Sequence, residues 1–154
     1  MTANLEARLT NLTYRPCVGI VLFNKNNEVF VGRRNDVKRQ SWQFPQGGIN
    51  AGEDPATAAL RELKEETNIS SVKFIKEIED TVTYILPNHL IGIIWKGKFK
   101  GQKQKWFIMK FIGNETEINI NTKNPEFLDW KWIDLEDLTK IAVPFKYEVY
   151  KKIK

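Results

Sequence analysis

The stretch Gly47-Gly-Ile-Asn-Ala-Gly-Glu53-Asp54-Pro55-Ala-Thr-Ala-Ala-Leu60-Arg61-Glu62-Leu63-Lys64-Glu65-Glu66-Thr67-Asn68-Ile69 decides how the rest of this 154-residue chain is read. It carries a helix with both ends marked. Asp54 is a favoured N-cap, Pro55 suits the first helical position, and residues 56–67 are rich in strong helix formers. Asn68 closes it, because Asn is second only to glycine as the left-handed residue at a helix end. At about 100° per residue from Glu62, Glu66 lies about 40° round and Glu65 about 300°, while Ala59, Leu63, Ala56, Thr67 and Leu60 fill the arc from about 60° to 160°. One face therefore belongs to a core. Three glutamates form a stripe beside it, and Lys64, at about 200°, points away.

Like charges at i, i+4, such as Glu62 and Glu66, destabilise a solvated helix face. A divalent cation removes the conflict: hard carboxylate oxygens suit Mg²⁺ or Mn²⁺, which complete their shells with water and substrate phosphates. Glu53, just ahead of the helix, either adds a ligand or complements the helix dipole.

Upstream, residues 17–23 (CVGIVLF) and 28–33 (EVFVGR) flank the turn-forming Asn24-Lys-Asn-Asn27 and read as a hairpin. A polar loop at 35–40 follows, and the Pro and paired Gly of residues 42–48 mark irregular backbone. Downstream, residues 72–78, 81–86, 90–95 and 106–112 have strand character, with shorter candidates at 117–120 and 127–133, and residues 134–153 read as helical with a break at Pro144. Strands before and after helices in this order predict an α/β fold with a mixed sheet and helices on both sides.

The length fits one domain over residues 1–154. The longest apolar run, 17–23, falls well short of the roughly 20 residues of a membrane-spanning helix. The first ten residues lack the apolar stretch of a secretory signal, so no membrane association and a cytoplasmic address are expected. Cys17 is the only cysteine and His89 the only histidine, which excludes an internal disulfide and a four-ligand Cys/His zinc site. Cys17 sits in the apolar run and reads as a small buried hydrophobe. A nucleophile–His–acid triad would have to use His89, in a turn-like segment, and carries little weight. The net charge of +5 suits an anionic partner but is also an ordinary solubility margin.

Gly47-x5-Glu53-x7-Arg61-Glu62-Leu63-x-Glu65-Glu66-x-Asn68-Ile69 resembles the Nudix box, G-x5-E-x7-R-E-U-x-E-E-x-G-U with U aliphatic. Six of seven fixed letters match, which chance produces on the order of 10⁻⁸ times per starting position. The departure is Asn68 in place of Gly; since Asn tolerates the left-handed conformation, Asn68→Gly is expected to be neutral or stabilising. The resemblance implies a Nudix α/β/α sandwich around a central mixed sheet that cleaves a diphosphate linkage with Mg²⁺ or Mn²⁺. It implies metal-binding and base roles for Glu62, Glu65 and Glu66, a backbone-oxygen ligand at Gly47, and an Arg61 that orients a neighbouring glutamate.

From Tyr14 to about Lys152 the resemblance narrows. Residues 14–21 (YRPCVGIV), 41–49 (SWQFPQGGI), 101–107 (GQKQKWF), 125–127 (PEF) and 130–132 (WKW) are similar to the bacterial RNA pyrophosphohydrolases, also described as dinucleoside polyphosphate hydrolases. That family converts the 5′-triphosphate end of RNA to a monophosphate, the step that initiates mRNA decay, so the implied partner is an RNA 5′ end or a dinucleoside polyphosphate, and not DNA. The same match implies a further metal ligand at Glu117, phosphate-channel positions at Arg15 and Lys105, and a base sandwiched by Arg34 and Phe145 with Val143 and Lys146 beside them. Tyr84 matches an aromatic near the substrate. Stacking between an aromatic ring and a guanidinium is a sequence-tolerant way to hold a splayed base. A Nudix-fold binding module without catalysis is the rival from another class, and it expects gaps among the ligands; Glu62, Glu65, Glu66 and Glu117 are all present.

Overall fold

The computed structural model describes residues 12–34, 42–79, 81–86, 89, 96 and 98–137. Strand β1 (Thr13–Phe23) organises it: residues 17–22 are all buried, so both faces of this strand are covered. β1 runs parallel to β7 (Phe99–Phe111), in register from Thr13↔Phe99 to Phe23↔Lys110. The turn into β2 (Val29–Arg34) is built from asparagine, as the sequence predicts. Asn24 Oδ1 accepts from the N–H groups of Asn26 and Glu28, and Asn27 adopts φ 61°.

The expected hairpin pairs at Phe23↔Val29 and then splays, because each strand has a better partner. β4 (Gln46–Gly48) runs antiparallel to β1 from Cys17↔Gly48 to Gly19↔Gln46, whereas β2 pairs with β3 (Trp42–Gln43) and β8 (Phe127–Ile133). Residues 42–48 are thus two short strands around Phe44-Pro45 rather than irregular throughout. β5 (Val72–Glu77) and β6 (Val82–Ile85) share β7 as antiparallel partner, β5 on its C-terminal half and β6 on Gly101–Gln104. The result is an eight-stranded mixed sheet.

β7 begins seven residues before the strand the sequence predicts. Residues 100–105, Lys-Gly-Gln-Lys-Gln-Lys, carry no apolar side chain, yet Gly101, Gln102 and Gln104 are buried because ladders to β1 and β6 flank them on both sides. No strand forms at 117–120. The chain there makes a 3₁₀ turn, Glu115–Glu117, capped by Asn114 Oδ1, and Ile118 and Ile120 pack onto the core without joining the sheet. The strand expected at 90–95 lies outside the described residues.

Helix α1 (Pro55–Thr67) covers one sheet face, where Ala59, Leu63 and Ile69 meet Val18, Ile20, Met109 and Phe107. On the opposite face Val21, Val31, Phe44, Val82 and Trp106 form a second buried cluster. This is an α/β sandwich. The helical segment expected at 134–153 starts with a 3₁₀ turn, Leu135–Asp137; the remainder lies outside the described residues.

Candidate active site

Helix α1 starts and stops where its sequence says. Asp54 Oδ2 accepts from the N–H groups of Ala56 (3.1 Å) and Thr57 (3.3 Å), and Asn68 takes φ 64°, ψ 10° with its N–H bonded to Lys64 O (2.9 Å). The buried arc differs from the expected one. Ala58 and Glu66 are buried, whereas Leu60 is 38% exposed. Strand β4 lies along the glutamate flank and presents Gly47 to it, while Gly48 turns its open side to Arg15. A Cβ on Gly47 would fall 2.6 Å from Glu62 Oε1 and closer still to Cδ and Oε2, so the Glu62 carboxylate occupies the space a side chain would take. A Cβ on Gly48 would fall 2.5 Å from Arg15 Nη2.

Arg61 is the hub of the site. Its Nε and Nη2 donate to the two oxygens of Glu53 (2.8 Å each), Nη2 also to Gly48 O (2.8 Å), and Nη1 to Glu62 Oε1 (2.8 Å) and both oxygens of Glu65 (3.3 Å). This fork joins the helix, the loop before it and β4, geometry that a lysine cannot reproduce. The hydrogen bond from Arg61 holds the Glu53 carboxyl down at about 2, helped by the Asn50 N–H. In return Glu53 raises the guanidinium further above its ordinary value. Glu62 goes the other way: burial raises it, and the Arg61 hydrogen bond only partly opposes that.

Arg61 relieves part of the repulsion along the glutamate stripe through its bonds to Glu62 and Glu65, a contribution that the like-charge argument from sequence does not include. Glu53, Glu62 and Glu65 share the Arg61 guanidinium, and with Glu66 on the same helix stripe four carboxylates stand against that one cation, a net charge of about −3 when all are ionised. Among the described residues no three Asp, Glu, His or Cys side chains converge on one point. The donor set nevertheless fits a hard divalent cation, being all oxygen, strongly anionic and bordered by a bare glycine backbone at Gly47.

The other expected site residues are distributed as follows. Glu117 is held apart from the Arg61 cluster: it accepts from Ser70 N (3.2 Å), Ser71 N (3.1 Å) and Ser71 Oγ (2.6 Å), and the Ser71 hydroxyl leads in lowering its carboxyl. Arg15 lies over Gly48 and donates to Cys17 Sγ (3.3 Å); its charge also acts on Glu62. Lys105 does not join it. It pairs in register with Val18, on the helix side of the sheet, and its Nζ meets Glu77 Oε1 at 3.1 Å. Arg34 ends β2 opposite Phe127, after a bulge that disturbs the simple alternation with Arg33. Tyr84 pairs with Gln102 on β6. Val143, Phe145 and Lys146 lie outside the described residues. Sequence reasoning missed two features: Ser70 and Ser71 as partners of Glu117, and an amide cluster of the buried Gln102 and Gln104 with the partly buried Gln46, whose only trace in the sequence is the i, i+2 spacing of Gln102 and Gln104.

This fold, with a glutamate-rich helix seated against a diglycine strand, is that of a known family: the chain belongs to the NUDIX domain family, whose model matches residues 13–153. Its relatives are more particular. An RNA pyrophosphohydrolase of Pelagibacter ubique is 57% identical over 144 residues, covering 94% of this chain and 91% of that one. An RNA pyrophosphohydrolase of Rickettsia conorii is 45% identical over 151 residues, covering 98% and 94%. Among solved structures, a C. elegans Ap4A hydrolase in a binary complex aligns with a TM-score of 0.66 at 26% identity, over 90% of this chain and 94% of that one.

Proposed function

We propose that this enzyme, a Nudix pyrophosphohydrolase, converts the 5′-triphosphate end of RNA to a 5′-monophosphate and releases pyrophosphate, and that it does so in the cytoplasm. The observation that carries the reading is the surplus of carboxylate around Arg61 beside Gly47, a site built for cationic help in handling phosphates, in a chain so similar to named RNA pyrophosphohydrolases. Glu62, Glu65, Glu66 and the Gly47 carbonyl are the groups that would hold Mg²⁺ or Mn²⁺, with Glu117 as a further candidate. Bound there, the cation supplies charge neutralisation of the phosphate chain and a lowered pKa for water.

The chain's own residues do the rest. Water adds to phosphorus, the anhydride P–O bond breaks towards pyrophosphate, and a box carboxylate takes the proton of the attacking water. Arg61 keeps Glu62 and Glu65 in place through its fork to Glu53 and Gly48 O, which is orientation rather than proton transfer. Arg15, over Gly48, adds positive charge beside the carboxylates. Arg34 with Phe145 is the proposed clamp for a base near the 5′ end, with Val143, Lys146 and Tyr84 near it; Lys105 contributes positive charge to the phosphate channel once its pair with Glu77 opens.

The second reading is hydrolysis of dinucleoside polyphosphates, favoured by the likeness to the Ap4A hydrolase. Rates with Mg²⁺ on triphosphorylated RNA and on dinucleoside tetraphosphate at matched concentration separate the two: the RNA is expected to turn over faster, and the reverse order would favour the second reading.

A further inference from the structure

The sheet is open at β5. Among the described residues this strand pairs with β7 alone, and residues 73–77 are all exposed, Ile75 at 54%. Phe107 belongs to the core under α1 and Ile108 packs against the opposite cluster, so Lys110, two residues on, lies on the face away from the helix. Lys73 stands directly opposite Lys110, and Lys76 opposite Ile108, which puts both on that face too. Glu77, the acid of the strand, is opposite Phe107 on the helix side and pairs with Lys105 at 3.1 Å.

Lys73, Lys76 and Lys110 are exposed, and no described acid pairs with any of them. Like charges directly opposite each other destabilise a sheet, their Cβ atoms being only about 4.5–5.5 Å apart. Lysine on an open edge guards it against pairing with another chain, which accounts for Lys73 and Lys76. It does not account for Lys110, whose strand is already flanked by β1 and β5. The second ammonium there only adds repulsion, unless an anion lies over the pair.

A single-stranded nucleic acid meets that condition, since its backbone carries a charge at every nucleotide and is tracked by lysines with little demand on sequence. The position agrees. β5 leads away from Glu77, the partner of Lys105 in the phosphate channel proposed above, and Lys110 is five residues along β7 from Lys105, about 17 Å. An RNA whose 5′ end is at the glutamates can reach this edge with its later nucleotides, whereas a dinucleotide ends short of it.

We propose that Lys73, Lys76 and Lys110 form a second RNA-binding surface, which holds the phosphate backbone of the substrate some nucleotides beyond its 5′ end. The proposal rests on the RNA reading above and adds affinity for long substrates without a contact to the reacting phosphates.

The test sets the full chain against a triple variant, Lys73→Gln, Lys76→Gln and Lys110→Gln, with melting temperature in parallel. Fluorescence anisotropy of a 20-nucleotide RNA with a 5′-hydroxyl, in metal-free buffer, reads binding without turnover; KM and kcat with Mg²⁺ are measured on triphosphorylated RNAs of 20 and of 2 nucleotides. Each phosphate contact adds about 0.7 to the slope of log K against log salt for single strands, so the slope of the variant should be shallower by about 2 and its affinity at 0.1 M salt lower by at least about tenfold. KM on the 20-nucleotide substrate should rise by a similar factor, while kcat and the dinucleotide KM stay within about twofold. Wild-type protein that leaves the 5′-hydroxyl RNA unbound, or an unchanged slope in the variant, overturns the proposal. So does tighter binding of a 20-residue polyglutamate than of the RNA, which would assign the surface to an acidic protein, and so does self-association of the variant at unchanged RNA affinity, the mark of an edge guard alone. Should the triple variant not fold, Lys76→Gln decides by a slope change of about 0.7. If the wild-type protein binds this RNA through the lysines but converts no triphosphorylated RNA, the functional reading fails and the surface stands.

Discussion

Gly47→Ala tests the seating of Glu62 with a single methyl group. The backbone at Gly47 has no positive φ, so alanine meets no torsional strain there and the effect is steric. The added Cβ would lie 2.6 Å from Glu62 Oε1, while carbon and oxygen settle at about 3.3–3.6 Å, so the carboxylate must retreat by roughly 1 Å. That retreat breaks the 2.8 Å bond from Arg61 Nη1. Overpacking of this kind costs about 1–3 kcal/mol of stability, at the low end here because the far end of a side chain yields rather than backbone. The cost to activity is larger: a displacement near 1 Å lowers rates about 10²-fold, or ~2.7 kcal/mol of transition-state stabilisation. Single-turnover conversion of a triphosphorylated RNA oligonucleotide at saturating Mg²⁺, with melting temperature in parallel, reads both. Gly52→Ala is the control: φ there is +76° and a Cβ would meet nothing within 4 Å, so backbone strain should lower stability by about 1 kcal/mol and leave the rate intact. A Gly47→Ala protein with wild-type kcat would refute the reasoning.

Glu65→Gln and Glu66→Gln keep shape and remove charge, and each should lower kcat at least about 10²-fold at saturating Mg²⁺, measured on the same RNA. Glu53→Gln tests the Arg61 fork: Glu53 titrates at about 2 in the folded chain against 4.5 in the ordinary range, so its contribution is complete above about pH 4.5 and is lost as pH falls towards 2. Urea unfolding should show the wild-type advantage over Glu53→Gln at pH 6 shrinking across that window; an advantage that grows on acidification would contradict it. Asn68→Gly was expected from sequence to be neutral or stabilising. The structure adds a bond from Asn68 Nδ2 to Glu117 O (3.1 Å), so the variant should instead lose about 1 kcal/mol and melt about 2–4 °C lower.

The legible parts of the chain were those written in local chemistry. Asp54, Pro55 and Asn68 mark α1 to the residue because capping and left-handed backbone are decided within a few positions. The strands at Val72–Glu77 and Phe127–Ile133 follow from their apolar and aromatic side chains. What stayed hidden depends on partners distant in sequence. The first half of β7 is polar and becomes a strand because β1 and β6 take both its edges. Ile118 and Ile120 look like strand residues but are anchored by packing, with Asn119 N–H bonded to Thr67 O. At the site the glutamate stripe could be read from the helical period, and Arg61 from the resemblance to the Nudix box. The bond between Arg61 and Glu53 could not be read from the period, since Glu53 precedes the helix and meets Arg61 only after the loop folds back.

The most direct test of the account is the identity of the product. Wild-type protein and Glu66→Gln are incubated with Mg²⁺ and an RNA labelled in its γ-phosphate, and the released label is resolved into pyrophosphate and orthophosphate. The account predicts one pyrophosphate per 5′-monophosphorylated RNA from the wild-type protein and almost none from Glu66→Gln. No release from the triphosphorylated end, or equal release by the two proteins, would contradict it.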